Sequence, residues 1–273
     1  MAAPTASATP PGLPTGRWPV GVLAALEYWL TSYRRTWRGS VVSGFLSPLL
    51  YLGAMGFGLG TLVDSGPGRL GGVAYVGFVA PGVLAATAMQ TAVGESTYPV
   101  MGAIKWNRQY HAMLAAPLGP AAILLGHLAF VLIRVTMSVT AFVVVAAALG
   151  AFTSVGVLAA VPVAVACGAA HAAPVMAFAV RQEKDTGFAL LYRFGVIPMF
   201  LFSGTFFPVE QLPAGLRPVA WVTPLWHATT LCRDLSLGGV TAGAAVAHVG
   251  YLCLWAAGGV WLGLRCYRGR LMP

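Results

Sequence analysis

Six long apolar blocks dominate the sequence: roughly Val41–Val63, Val73–Gly94, Gly119–Gly150, Val155–Val180, Gly187–Phe206 and Ala244–Leu264. An α-helix needs about 20 apolar residues to cross the hydrocarbon of a bilayer, and each block qualifies. Ahead of the first block the period changes. From Trp18 to Ser40 the apolar residues Val22, Leu23, Leu26, Trp29, Leu30, Tyr33 and Trp37 share one helical face, and Arg34, Arg35 and Arg38 lie toward the other. That pattern predicts an amphipathic helix lying in the membrane surface, with Trp29 and Trp37 in the interface and the arginines toward the headgroups. Residues 1–17 are mostly small and Pro-rich. They predict a disordered tail, and no basic stretch precedes an apolar one as in a signal peptide. The chain therefore divides into a tail (1–17), a cytoplasmic interfacial helix (18–40) and an all-α, polytopic membrane domain of six spans (41–273).

Two of the interruptions have patterns of their own. Tyr98–Ala116 interleaves Met101, Ile104, Trp106, Tyr110, Met113 and Leu114 with Lys105, Asn107, Arg108, Gln109 and His111, which predicts a short amphipathic helix parallel to the membrane. The segment that begins SGTFFPVEQLP at Ser203 is too long for a turn and too apolar for a solvated loop. Gly204 and Pro208 end the fifth span there. A second helix starts at Thr223, which can cap, with Pro224 in the first helical position, and stops at Gly238 and Gly239. Both pieces are too short to cross hydrocarbon, so they predict short re-entrant helices before the last span. Phe206, Phe207, Trp221 and Trp226 anchor them at the interface, and Glu210, Arg217, Arg233 and Asp234 stay near water.

Composition fits a chain whose surface faces lipid. Of 273 residues 58% are hydrophobic and 8% charged, against about 25% charged in soluble domains. The net charge of +9 is scattered between apolar runs, which excludes nucleic acid as the partner and makes the position of each basic residue the useful fact. With the N-terminus inside, Arg17, Arg34, Arg35, Arg38, Lys105, Arg108, Arg181, Lys184, Arg265, Arg268 and Arg270 are cytoplasmic, Arg193 lies near the cytoplasmic end of the fifth span, and Arg69, Arg217 and Arg233 are outside. The positive-inside rule then predicts both termini in the cytoplasm. Cys167, Cys232, Cys253 and Cys266 show no CxxC or metal-ligand spacing, and neither Lys105 nor Lys184 follows a glycine. There is no phosphate loop, so if ATP drives this protein, ATP and Mg bind another chain. Ser203 and His227 lack a suitably placed acid, and no carboxylate pair marks a glycosyltransferase loop, which leaves no case for an enzyme. Glu95 and Arg134 are the intramembrane polar candidates. They read at different depths and stay unpaired, with snorkelling, carbonyl bonding and a translocation path all open to Arg134. His127, His171 and His248 read as isolated packing residues, Arg181–Gly187 as a solvated turn, and Gly56/Gly60 and Gly259/Gly263 as sites of close helix approach.

FLFSGTFFPVEQLPAGLRPVAWVTPLWHATTLCRDL resembles the outer-face segment of type-two ATP-binding-cassette export permeases, in the branch exporting nodulation factors, lipo-oligosaccharides and drugs. ESTYPVMGAIKWNRQYHAMLAAPLGP, Glu95–Pro120, resembles that family's cytoplasmic connection between its second and third spans. The similarity covers nearly all of the chain after residue 17. It implies a six-helix permease of the bacterial plasma membrane, surrounded by membrane lipids and paired with a second permease copy, identical or paralogous, and with two ATPase chains. It further implies that Met101, Ile104, Trp106, Arg108, Tyr110 and Met113 couple to the ATPase, and that Phe207, Glu210, Trp221, Trp226 and His227 border the outer part of the substrate path. The family often carries an acid three residues after the histidine of PLWH; this chain has Thr230, so no cargo carries over from relatives. The alternative is an ion-coupled secondary transporter acting without an ATPase. That class often shows paired broken helices and intramembrane carboxylates, whereas the marked break here is confined to the outer end.

Overall fold

The computed structural model describes residues 18–65, 73–152 and 154–272; the tail expected at 1–17 and Arg69 lie outside them. Every element among the described residues is helical, as hydrocarbon demands of a chain that must bond its own backbone. In order they are α1 (Trp18–Tyr33), α2 (Trp37–Gly53), a π turn (Ala54–Leu59), α3 (Gly60–Asp64), α4 (Tyr75–Ser96), α5 (Tyr98–Lys105), α6 (Gln109–Ala115), α7 (Pro120–Ala148), α8 (Val157–Ala179), α9 (Thr186–Leu191), a second π turn (Tyr192–Val196), α10 (Ile197–Phe202), a 3-10 turn (Val209–Gln211), α11 (Arg217–Val222), α12 (Pro224–Leu237) and α13 (Ala242–Leu271). Among the described residues four stretches are long and apolar enough to cross a membrane: Tyr75–Lys105, Pro120–Ala148, Val157–Ala179 and Ala242–Leu271. The first and fifth expected spans differ from these. Trp37–Asp64 and Thr186–Phe202 are each interrupted by a π turn, and the latter is shorter.

The single helix expected over 18–40 is two helices. The chain turns at Arg34–Thr36, closed by backbone bonds from Arg34 to Leu30 and from Thr36 to Tyr33, and Trp37 opens α2. Nor does α1 lie on the surface as a free amphipathic helix: it packs along α7. Ala25 is fully buried, and a methyl on Gly126 would stand 2.5 Å from its Cβ. Trp29, expected at the lipid interface, is buried with its ring stacked 4.0 Å from that of His127, while Trp37 is exposed. Part of the apolar face read from the periodicity, around Trp29, meets protein, because small residues of α7 let α1 approach closely, while Leu23 and Trp37 of the same face are exposed.

The core is a bundle of α4, α7, α8, α12 and α13. The sequence of α8, VLAAVPVAVACGAAHAAPVMAFA, offers so many small side chains that its neighbours come within backbone contact. Gly259 of α13 lies against Pro174, where an added methyl would meet Cδ at 2.5 Å and the backbone nitrogen at 2.6 Å. One turn on, Gly263 faces Leu124 of α7. The outward face of α13, by contrast, shows Val246, Leu254, Trp255, Trp261 and Leu262, the composition of a surface for lipid.

Two sets of contacts mark opposite ends of the bundle. At one, Glu183 of the 181–187 turn bonds Lys105 at 2.8 Å and Arg270 at 2.5 Å, so the turn is a bracket tying α5 to the end of α13 rather than a merely solvated loop. At the other, Asp64 accepts the backbone N–H of Tyr75 at 3.0 Å, and Gly156, ahead of α8, lies against Leu235 of α12. The first is called the basic end here and the second the far end. Close packing at Gly259 gives an expected outcome. Gly259→Ala lowers the thermal unfolding temperature in detergent by the equivalent of about 1–3 kcal/mol of overpacking, whereas Gly258→Ala, with nothing within 4 Å, leaves it unchanged or raised.

Candidate functional site

The Tyr98–Ala116 region is not one helix parallel to a surface. α4 bends at Thr97, whose φ of −97° and ψ of −94° leave the helical region, and continues as α5, where Val100, Met101, Gly102, Ala103 and Ile104 are all buried. The chain then turns sharply: Arg108 is the one non-glycine residue among those described with a positive φ, at 49°, and α6 follows. Of the residues expected to meet a partner, Met101, Ile104, Tyr110 and Met113 face the bundle interior. Tyr110 is fully buried, its hydroxyl 2.5 Å from His127 Nδ1 and 3.1 Å from the hydroxyl of Tyr267. What remains for a partner is the corner itself: Trp106, 64% exposed, with Asn107 and Arg108, and His111 and Ala112 beyond. An amphipathic pattern tells which residues are apolar, not whether their burial is against lipid, a partner or the same chain.

Glu95 is the penultimate residue of α4, and the chain continues beyond it through Thr97 into α5, so the residue is part-covered rather than at the end of the whole Tyr75–Lys105 stretch. There it pairs with Arg134 of α7 through Nε at 3.1 Å and Nη2 at 3.0 Å. Arg134 also donates to the hydroxyl of Tyr33, the last residue of α1, and lies over that ring. The two residues kept apart in the sequence reading are therefore partners, and snorkelling is not Arg134's role. One turn away, Thr91 Oγ1 donates to Ser138 Oγ at 3.2 Å, making a two-rung polar ladder between α4 and α7. A second feature had no sequence signal strong enough to single it out. Between Phe78 and Ser96 the residues of α4 that are not buried are Thr87, Gln90, Thr91, Gly94 and Glu95. They share one face at helical spacing, and every one is polar or glycine, opposite in character to the apolar face that α13 exposes.

At the far end, α10 stops at Phe202, capped by Ser203, with the expected Gly204 (φ 78°) next, while Pro208, also expected to end this span, lies beyond the stop, ahead of the 3-10 turn. Thr223 accepts from the N–H of Trp226 to cap α12, with Pro224 in its first turn, and Gly238 (φ 80°) ends it. Phe207 and Trp226 are half-buried against a small cluster of Val209, Leu212 and Ala220, and Glu210 and Trp221 are exposed. Arg217 folds this piece by donating to the Leu212 and Glu210 carbonyls. Arg233, expected near water, points inward instead. It donates to the carbonyls of Gly204 at 2.6 Å and Phe78 at 3.2 Å and lies 3.8 Å from the centre of the Phe78 ring. His227 and His248 are not isolated: their Nδ1 atoms are 2.8 Å apart, and His227 stacks on Tyr251 at 3.8 Å. That bond needs a proton on one ring nitrogen and a bare lone pair on the other. Burial, and then the neighbouring His248, push the His227 pKa down to about 4, against the effect of a bond to the Trp221 backbone.

Similarity to known proteins agrees with this geometry. The family model described as ABC-2 family transporter protein matches residues 71–265. Nodulation protein J of Rhizobium leguminosarum bv. viciae is 31% identical over 258 residues, covering 93% of this chain and 97% of that protein. Nodulation protein J of Rhizobium meliloti (strain 1021) is 31% identical over 253 residues, with coverage of 90% and 94%. That of Rhizobium leguminosarum bv. trifolii is 32% identical over 252 residues, with coverage of 89% and 94%.

Two outcomes test the site. In a double-mutant cycle by thermal unfolding, Glu95→Gln and Arg134→Gln each destabilise, and the double variant recovers a coupling of about 0.5–3 kcal/mol, because either single change strands the other charge. For His227 the folded pKa lies below the ordinary 6.5, so the unfolded chain binds more protons between the two values. Stability is full above 6.5 and falls as the pH drops toward 4. His227→Phe therefore flattens the pH dependence of the unfolding temperature in that window.

Proposed function

This chain belongs to the ABC-2 family of transporter proteins, and from that membership we propose that it is the membrane subunit through which separate ATPase chains drive an amphiphile outward. The observation that carries the reading is the Trp106–Arg108 corner. It stands exposed on the end of the most deeply buried long helix of the bundle. An apolar anchor with a polar rim on a rigid support is the form a force-bearing contact takes. ATP and Mg sit on the partner chains, and the corner inserts into them.

The rest of the assembly follows from exposure and charge. The basic end, with Lys105, Arg108, Arg181, Lys184, Arg265, Arg268 and Arg270, faces the cytoplasm of a bacterial plasma membrane by the positive-inside rule. Both termini lie there once Trp37–Asp64 and Thr186–Phe202 complete six crossings. Leu190, Phe194, Ile197 and Leu201 form an exposed apolar stripe on the fifth crossing, which a second permease copy, identical or paralogous, covers. The polar strip Thr87–Glu95 lines a hydrated path for the cargo's polar head, and the apolar face of α13 meets lipid. The cargo is of the lipo-oligosaccharide, glycolipid, lipid or drug type. An ion-coupled transporter would use Glu95 as its carboxylate, but its Oε1 is held by Nε and Nη2 of Arg134, an ion pair that suits a fixed charge rather than a proton carrier.

The decisive measurement is retention of an ATPase chain by the permease purified in detergent. Trp106→Ala and Arg108→Ala weaken it at least about tenfold, as loss of an interface anchor does, with no change in the unfolding temperature. Cysteines placed at Lys105 and Gln211 react with impermeant reagents from opposite faces. A wild-type permease that holds no ATPase and transports on a proton gradient without ATP decides for the ion-coupled alternative.

A further inference from the structure

Tyr110 sits two residues beyond Arg108 and has no exposed surface at all, so it cannot belong to a contact surface. It is instead the centre of a knot to which four helices each give one ring. From α6 comes Tyr110 itself. From α7 comes His127, whose Nδ1 is 2.5 Å from the Tyr110 hydroxyl, and from α13 comes Tyr267, whose hydroxyl is 3.1 Å from it. From α1 comes Trp29, edge-on to Tyr110 at 6.3 Å and stacked on His127 at 4.0 Å. We propose that Tyr110 is the positioning residue that carries displacement of the Trp106–Arg108 corner into α1, α7 and α13; this rests on the reading above that an ATPase moves the corner.

Three observations carry it. First, α6 is held lightly elsewhere: His111, Ala112 and Ala115 are exposed, and within the helix only Tyr110 and Met113 are buried. A movement of the corner that passes through α6 therefore reaches the bundle by those two side chains, of which Tyr110 alone makes hydrogen bonds. The route through α5 instead runs over the apolar residues Val100–Ile104 toward α4 and α8, rather than toward α1 or α13. Second, the other link from the corner to α13 is the Lys105–Glu183–Arg270 bracket, whose glutamate is 62% exposed. Such a pair is screened by salt and moves cheaply, whereas a buried neutral hydrogen-bond chain in low dielectric does not. Third, the knot is incompletely paired. Trp29 Nε1 and His127 Nε2 are buried with no partner among the described residues. An unpaired buried polar group is costly, so a second arrangement of these rings that pairs them is open in energy, and packed elements switch between discrete arrangements rather than stretch.

The test uses the assembled complex with its ATPase chains in nanodiscs. Cys253 and Cys266 are replaced by serine, and a spin label is placed on Gln211→Cys of each copy; Cys167 and Cys232 are buried and stay. Wild type shows a shift in the label–label distance between the nucleotide-free state and the state trapped with Mg, ATP and vanadate. Tyr110→Phe keeps the ring and removes the hydroxyl. It retains the ATPase chains and their ATP hydrolysis and loses most of the shift. Tyr267→Phe, which breaks the α13 branch alone, loses part of it and serves as the reading if Tyr110→Phe does not fold. A simple loss of packing lowers the unfolding temperature, but does not remove the shift from molecules that are folded and ATPase-bound. A wild-type shift in both variants overturns the proposal, as does loss of ATPase retention in Tyr110→Phe, which would put the residue in the contact itself. Failure of the wild-type permease to hold an ATPase overturns the functional reading instead, and the two failures are distinct.

Discussion

A charge in hydrocarbon needs a partner from within the protein, and that requirement decides how the helices of this chain are joined. Arg134 stands in the interior of α7, too far along the helix to reach headgroup water easily. Its two kinds of partner come from different elements: the carboxylate of Glu95 from α4 and the hydroxyl of Tyr33 from α1. One part-buried guanidinium therefore ties the end of α1, already packed on α7 through Ala25 and Trp29, to α4, and helps set the register of α4 on α7. The Thr91–Ser138 bond repeats the join with neutral groups one turn away. Neither join supplies much net energy. Their consequence is specificity, since any slip of α4 along α7 would leave a charge unmet.

Closeness, rather than hydrophobicity, holds the remainder. Lipid tails are as apolar as leucine, so helices gain by packing more tightly than lipid can. The alanines, glycines and valines of α8 let α4, α12 and α13 approach to backbone contact, and Gly259 and Gly263 do the same from the α13 side. The outcome is uneven. The inner helices form one dense unit. The stretches Trp37–Asp64 and Thr186–Phe202 carry π turns and present large apolar side chains outward. Regions with few buried contacts are those that move at least cost, and these two stretches are the ones the proposed function assigns to a second copy.

What the sequence made legible was local. Block lengths gave the long helices, and Gly204, Thr223, Pro224 and Gly238 gave the stops and starts of the far-end segment, because capping and positive φ depend on a few neighbouring residues. What it hid was tertiary depth. Glu95 was read at a helix end because the apolar block stops at Gly94, whereas the helix bends at Thr97 and goes on to Lys105. Tyr110 and Trp29 were read as surface anchors because an amphipathic face looks the same whether it meets lipid or protein. His227 and His248 lie in different helices, and nothing in their local sequence announces a partner. The polar strip of α4 was present in the sequence as Thr87, Gln90, Thr91 and Glu95, but a few hydroxyls and one amide in an apolar block signal nothing until burial shows that they alone are left uncovered.

These joins meet in α4. At the basic end it runs through α5 into the exposed corner. At the far end Arg233 of α12 grips the Phe78 carbonyl together with the Gly204 carbonyl, and Gly82 lies against the backbone of Thr205 so closely that a methyl there would stand 2.8 Å from the Thr205 oxygen. α4 is thus joined at one end, through α5, to the exposed corner and at the other to the far-end segment. Its uncovered polar strip lies between the two. Pro81, beside Gly82 and within α4, removes a backbone bond next to the far-end attachment. It supplies a place for the helix to bend there without disturbing the Glu95–Arg134 join. On the function proposed above, a displacement entering at the corner has a route to the far-end segment through α5 and α4, beside the one through Tyr110, with the Glu95–Arg134 pair holding the register of α4 on α7.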